Sequence, residues 1–271
     1  MTLRQLLKAA VPPGAIAVYR RLAFGDHLGY VWRGIYSRLR EVPGQGRGFG
    51  GAEWLALCER YLRSVRTSGE SGRTIPDDVA GRHVLLPLVV ACLGGSERIR
   101  ILDFGGGLAF DHVLLAQATG GAADVEFHIV ESDAIVAAGR RLFASDPRVH
   151  FHDRLPASLP AVDLLNISTA LQYVDDYPAL LTSLIAYRPR RILMVDLPAG
   201  DIPTFATAQV NVRGSVIPSW FFNAAEIIAL VESAGYRVAF KAASDQRFDL
   251  GNFPESHRLP RACHLLFTRV R

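Results

Sequence analysis

Lysine is nearly absent from this chain: Lys8 and Lys241 stand alone among 30 basic residues, the rest being arginine. The bias reflects a GC-rich genome more than a nucleic-acid surface, and no nucleic-acid partner is expected. The charge is also unevenly placed. Residues 1–66 hold 11 basic against 4 acidic side chains, a balance of +7, which leaves −3 for residues 67–271 and +4 for the whole. The basic quarter, with Arg20, Arg21, Trp32, Arg33, Arg38 and Arg40, reads as a solvated helix face or as a contact with an anionic membrane surface or a partner enzyme.

Cysteine is scarce. Cys58, Cys92 and Cys263 are odd in number and far apart, which excludes a disulfide framework and a CxxC motif; they read as small core residues in a reducing compartment. Long apolar runs are missing too. The longest, Val84 to Leu93, contains Pro87 and is about half the ~20 residues a membrane span needs. The start, MTLRQLLKAAVPPG, is interrupted by Arg4, Gln5 and Lys8 and stopped by Pro12-Pro13, so it does not read as a signal peptide, and a cytoplasmic location is expected. Metal-ligand spacing is lacking: His150 and His152 share a strand face but no third ligand stands near them in sequence, so no metal is expected. Glycine shows no period, no heptads persist, and 49% hydrophobic against 21% charged residues excludes disorder.

What is present is alternation. From Arg98 onward, short apolar or β-branched runs alternate with longer amphipathic ones, the pattern of an α/β fold with a parallel sheet and helices on both faces. The predicted strands are Ile99–Phe104, Val125–Glu131, Val149–His152, Val162–Ile167, Arg191–Asp196, Arg237–Ala243 and Cys263–Val270. The predicted helices between them are Ala109–Ala118, Ala134–Ala144, Tyr177–Tyr187 and Ala224–Ala234, the last capped by Asn223 and stopped by Gly235. Ser244–Pro260 is too rich in Gly, Pro and charge for a crossover helix, so the final two strands should be antiparallel neighbours. The expected order is 3-2-1-4-5-7-6, with the last strand antiparallel. Upstream, Glu53–Ser64 and Arg82–Leu93 read as helices, while residues 20–50 mix aromatics, arginines and glycines without a clean period. This divides the chain into a basic helical extension or cap, 1–79, and a main domain, 80–271.

The strongest local signal is Asp103-Phe-Gly105-Gly106-Gly107, where a strand runs through three glycines into a helix. Such a turn lets backbone approach a ligand closely and presents free helix-start N–H groups. Acids end the next two strands, Glu131 and Asp153. In a nucleotide-binding βαβ unit the first of these is placed to bind a ribose diol. Asp103 discriminates between cofactors: a carboxylate beside the loop would repel a pyrophosphate but suits a cation, such as the ammonium and sulfonium of S-adenosylmethionine. An NAD-dependent oxidoreductase is disfavoured on that charge argument and on the antiparallel ending.

At these residues the chain resembles the class I S-adenosylmethionine-dependent methyltransferases, over about residues 80–271. Asp-Phe-Gly-Gly-Gly at 103–107 is similar to their motif I, Val-Glu-Ser-Asp at 130–133 to their ribose motif, His152-Asp153 to their adenine-contact position, and Asn166–Val174 to the fourth-strand segment beside the transferring methyl. Tyr36, Trp54, DFGGG and ALQYV together resemble a family of methyltransferases found in bacterial surface-polysaccharide gene clusters. Ala109 departs from the pattern, standing where many members have another glycine. The resemblance implies a Rossmann-like sheet, S-adenosylmethionine as cofactor, and these roles. Gly105, Gly106 and Gly107 would approach the methionine portion and Asp103 its ammonium. Glu131, with Ser132 and Asp133, would hold the ribose, Asp153 would accept from the adenine amino group, and Asn166 and Ser168 would sit near the sulfonium.

Methyl transfer is an in-line displacement that alignment and water exclusion can drive, and a base is needed only where the acceptor loses a proton. Candidates are Tyr173, Asp196 and His27, with Asp175, Asp176 and His83 also at strand ends or in the cap; Asp175-Asp176 reads more readily as a helix cap than as a base. The segment Leu197–Phe222 is expected to be a long loop whose Gln209, Asn211, Arg213 and Trp220 meet a polar or glycan-type acceptor, or else a solvated lid with Trp220 on the core. A non-catalytic module of the same fold that binds a partner through the basic N-terminus is the alternative from another class.

Overall fold

The computed structural model describes residues 30–44, 49, 51–70, 84–93, 98–121, 123–210 and 215–270. Its main sheet is built from β2 (Ile99–Phe104), β3 (Val125–Val130), β4 (Val149–His152), β5 (Leu164–Ser168), β6 (Arg191–Leu197), β10 (Tyr236–Arg247) and β11 (Arg261–Arg269). The order is β4-β3-β2-β5-β6-β11-β10, which is 3-2-1-4-5-7-6 in the numbering of these seven strands alone. Neighbours from β4 to β6 are parallel, and β11 runs antiparallel to both β6 and β10. The expected topology is therefore the observed one.

The sequence produces this sheet for a simple reason. Parallel strands are covered on both faces, so they are near-continuous apolar runs. Ile101, Leu102, Phe127, Ile129, Leu164, Leu165, Ile192 and Met194 are all wholly buried, and burying such a side chain contributes about 1.5–3 kcal/mol. One face packs under α1 (Ala52–Glu70), α2 (Leu85–Leu93), α3 (Phe110–Ala118) and α4 (Asp133–Leu142). The other packs under α5 (Tyr177–Ile185) and α6 (Ala224–Ser233). The caps follow the sequence: Asn223 Oδ1 accepts from the Ala225 N–H at 2.8 Å, and Asp176 Oδ1 from the Ala179 N–H at 3.1 Å. Gly139 sits mid-helix because a Cβ there would stand 2.3 Å from the Phe151 ring, so its absence lets α4 close onto edge strand β4.

Two expectations need correction. Leu197–Phe222 is not a loop: it forms β7 (Ala199–Gly200), β8 (Phe205–Gln209) and β9 (Ile217–Asn223), which with β1 (Trp32–Tyr36) make a second sheet of order β1-β8-β9-β7. The expected helical extension thus holds strand β1 as well as helix α1. Trp32 pairs with Gln209 across the chain, and its ring packs edge-on to Phe221 at 5.0 Å within a third small core. Trp220 is core, as the lid reading allowed, its indole N–H donating to the Val174 carbonyl at 3.1 Å. Second, only Cys58 and Cys263 are core residues; Cys92 lies on the exposed side of α2. No helix among the described residues is long and apolar enough to cross a membrane.

Candidate functional site

The site lies at the carboxyl ends of β2, β3, β5 and β6, where an α/β sheet presents its crossing loops. One cavity of about 450 Å³ is lined by Gly105, Gly106, Gly107, Glu131, Ser168 and Asp196, together with Asp111, Thr169 and the α1 and α3 residues Trp54, Cys58, Tyr61 and Phe110. A second, of about 550 Å³, shares Trp54, Gly105, Glu131 and Thr169 with the first and adds Phe49, Ser132, Asp153, Ala170 and Tyr173. Seven of the predicted cofactor residues therefore meet in one continuous hollow. The chain upstream of the main sheet supplies an aromatic wall, with Phe49 edge-on to both Trp54 (4.8 Å) and Tyr173 (4.6 Å).

The glycine loop is tight for reasons visible in its neighbours. Gly105 and Gly107 adopt φ of +73° and +57°, and a Cβ on Gly105 would lie 2.4 Å from that of Ala170. Gly106 is required by Asp103, because a Cβ there would come within 2.1 Å of Oδ2. Asp103 itself is wholly buried beneath the loop. Its Oδ1 accepts from Asn166 Nδ2 at 2.9 Å, and the same nitrogen donates to Asp111 Oδ2 at 2.9 Å. Among the described residues nothing hydrogen-bonds Asp103 Oδ2 or Asn166 Oδ1. Burial, then the charge of Asp111, push the Asp103 carboxyl well above the usual carboxylate range; the Asn166 bond opposes this and Glu131 adds to it. Two carboxylates bridged by one amide, with a third nearby and a buried oxygen left without a donor, make a site that a cationic ligand would complete.

The remaining predicted residues fall as follows. The Glu131 carboxylate accepts from the Ser132 N–H at 2.7 Å. Asp153 is exposed beside Arg154 at 3.2 Å. Asn166 is buried under the hollow rather than lining it, and Asp133 starts α4 on the exposed surface. His27, His83, Asn211 and Arg213 lie outside the described residues. The Tyr173 hydroxyl donates to Gln209 Oε1 at 3.0 Å, and burial pushes its pKa to about 12, so it is a neutral hydrogen-bond donor rather than a base near pH 7. Asp196 is buried; Oδ1 accepts from the Ser244 hydroxyl, and its own N–H donates to His264 Nδ1 at 3.2 Å.

Sequence reasoning missed Asp111, whose place in the first turn of α3 reads as an ordinary helix-start acid. It also missed the backbone. Thr169, just past β5, and Asp196, next to last in β6, take left-handed φ of 50° and 51°. For a β-branched Thr this is a strained conformation, of the kind that gathers at ligand sites. Ala109, where another glycine was expected, also has a left-handed φ of 56°; the loop keeps the glycine-like conformation with an alanine in it. A separate cleft of about 570 Å³ beside α3, lined by Arg66, His112, Asp146 and Arg148, is internally paired through Asp146.

Strand order, the antiparallel β11 and the site's place at the carboxyl edge define the Rossmann-like methyltransferase fold. One solved structure agrees in fold, and two more are similar at lower scores. A chain of the complex between the Haloferax volcanii Trm112 methyltransferase activator and a methyltransferase is similar at 14% identity, over 79% of this chain and 96% of that one, with a TM-score of 0.51. The Burkholderia thailandensis 1,6-didemethyltoxoflavin-N1-methyltransferase with bound 1,6-didemethyltoxoflavin and S-adenosylhomocysteine is 16% identical over 82% and 91%, with a TM-score of 0.49. The magnesium protoporphyrin IX methyltransferase of Synechocystis with bound S-adenosylhomocysteine is 17% identical over 70% and 84%, with a TM-score of 0.47. At 14% identity the first likeness speaks to the fold alone. No family model matches the sequence, and no curated protein does.

Proposed function

We propose that this chain is an S-adenosylmethionine-dependent methyltransferase acting on a small polar or glycan-type acceptor, with a role in surface-polysaccharide biosynthesis. The observation that carries the reading is the buried Asp103–Asn166–Asp111 bridge beneath the glycine loop, with Glu131 beside it. It suits a ligand with a cationic amino-acid end and a ribose, and it repels the pyrophosphate of a dinucleotide. The cofactor supplies the activated methyl group. Asp103 and Asp111 would hold its ammonium, Gly105–Gly107 its methionine chain, Glu131 and Ser132 the ribose, and Asp153 the adenine edge.

The chain's own part is alignment and water exclusion. Trp54, Phe49 and Tyr61 line one side of the hollow with aromatic surface. Asp196, oriented by Ser244 and His264, would take a proton from an acceptor, and Tyr173 would help to position it. Residues 1–79 act as a cap on the 80–271 domain, and their basic charge serves contact with a membrane surface or partner enzyme in the cytoplasm. Titration calorimetry with S-adenosylmethionine and S-adenosylhomocysteine tests the reading. Binding of both is expected, and absence of both in folded protein would overturn it. Cofactor binding without turnover on any acceptor would instead favour the non-catalytic module.

A further inference from the structure

The face of β3 and β4 turned away from α3 and α4 carries an unusual row. Side chains alternate along a strand, so Val125, Phe127 and Ile129 of β3, with Val149 and Phe151 of β4, enter the core shared with those helices. Glu126, His128, His150 and His152 therefore point the other way, brought side by side by the register His128↔His150. The connection from β4 to β5, residues 153–163, forms no helix, so no helix from that crossover covers this corner of the sheet.

We infer that Glu126, His128 and His150 form a binding site for a divalent transition-metal ion of the zinc type. Glu126 Oε1 lies 3.1 Å from His150 Nε2 and 3.4 Å from His128 Nε2, and the three ligand atoms all fall within 4.8 Å of one another. Ligands held about 2.0–2.1 Å from a tetrahedral ion stand about 3.3–3.4 Å apart, so two of the three separations already fit. The stacked His128 and His150 rings, 4.7 Å apart at 17°, close the third by rotating toward Glu126. Two His and one carboxylate form a set that leaves an outward coordination position for water.

The surroundings supply what such a site needs. The other carboxylate oxygen, Glu126 Oε2, accepts from Arg100 Nε at 3.1 Å, which fixes the carboxylate with Oε1 toward the histidines. His128 Nδ1 is 3.2 Å from His152 Nε2, a hydrogen bond that orients the His128 ring from behind. His128 Nε2 is buried and makes no hydrogen bond among the described residues, although it lies 3.4 Å from Glu126 Oε1. In the tautomer in which His128 donates from Nδ1 to His152, its Nε2 turns a lone pair toward the Glu126 carboxylate, and a cation between them would satisfy both. His150 is 39% exposed and provides the entry path.

The test uses untagged, chelator-treated full chain titrated calorimetrically with Zn²⁺, and Co²⁺ as a spectroscopic probe. One Zn²⁺ per chain should bind, and Co²⁺ should give intense visible bands of low-coordinate geometry. His150→Gln and Glu126→Gln should each weaken binding by more than about tenfold, while His257→Gln, at a distant histidine, should leave it unchanged. His150→Gln is decisive, because that side chain is partly exposed and its loss is tolerated by the fold; a thermal melt of the metal-free variant checks this. No Zn²⁺ binding by the parent chain, or affinity retained in His150→Gln, would overturn the inference.

Discussion

Replacing Asp103 by Asn tests the electrostatics of the site directly. The two 2.9 Å bonds from Asn166 Nδ2 run to Asp103 Oδ1 and Asp111 Oδ2. Acceptors on the two hydrogens of one amide nitrogen lie about 5 Å apart, and unit charges at about 5 Å repel by about 3 kcal/mol at an effective dielectric near 20. The substitution keeps the shape and the Asn166 bond and exchanges one unbonded buried atom for another, so charge is the main change. Because burial raises the native pKa of Asp103 above its unfolded value of about 3.9, the folded chain binds more protons, and its stability falls as pH rises from about 4 through that native pKa. The variant escapes this loss. At pH 7 its free form should be more stable than the parent by about 1–3 kcal/mol in denaturant titration, with the gain shrinking toward pH 4. Affinity for S-adenosylmethionine should drop at least ~10-fold, about 1.4 kcal/mol. Affinity for 5′-methylthioadenosine, which carries no ammonium, should hold. A less stable free variant at pH 7, or equal losses for both ligands, would refute the reasoning.

Gly106→Ala places a methyl 2.1 Å from the buried Asp103 Oδ2 and should cost about 1–3 kcal/mol and abolish cofactor binding. Gly120→Ala, with nothing within 4 Å among the described residues, should cost about 1 kcal/mol from its left-handed backbone alone. Glu131→Ala and Gly105→Arg should each remove cofactor binding in calorimetry while circular dichroism shows a folded chain; affinity kept by both would mean that the cofactor sits elsewhere. At Asp146, burial works to raise the pKa, but Arg148, through side chain and backbone, and His112 outweigh it and bring the carboxyl to about 2. A depressed native pKa stabilises above the unfolded value and loses that contribution as pH falls from about 4 through about 2. Asp146→Asn should therefore cost about 1 kcal/mol at pH 7, allowing for screening, and almost nothing at pH 2, read by urea titration.

What the sequence alone determined is local. Buried parallel strands must be continuous apolar runs, so the seven main strands could be read directly, while their order was an expectation that the pairing then met. The Asn223 and Asp176 caps and the glycine turn were legible because each depends on neighbours within a few residues. The missing crossover helix fixed the antiparallel β11 in the same way. What only the tertiary structure decided depends on pairing at long range. Strand β1 meets β8 across more than 170 residues, with a bulge after Arg33 that breaks its alternation, so neither strand announced itself. Asp111 joined Asp103 through Asn166, from a strand 63 residues beyond Asp103, and the Glu126–His128–His150 row exists only because β3 and β4 align in register. A side chain's residue type is written in the sequence, but the charge it must answer is set by the chain that folds against it.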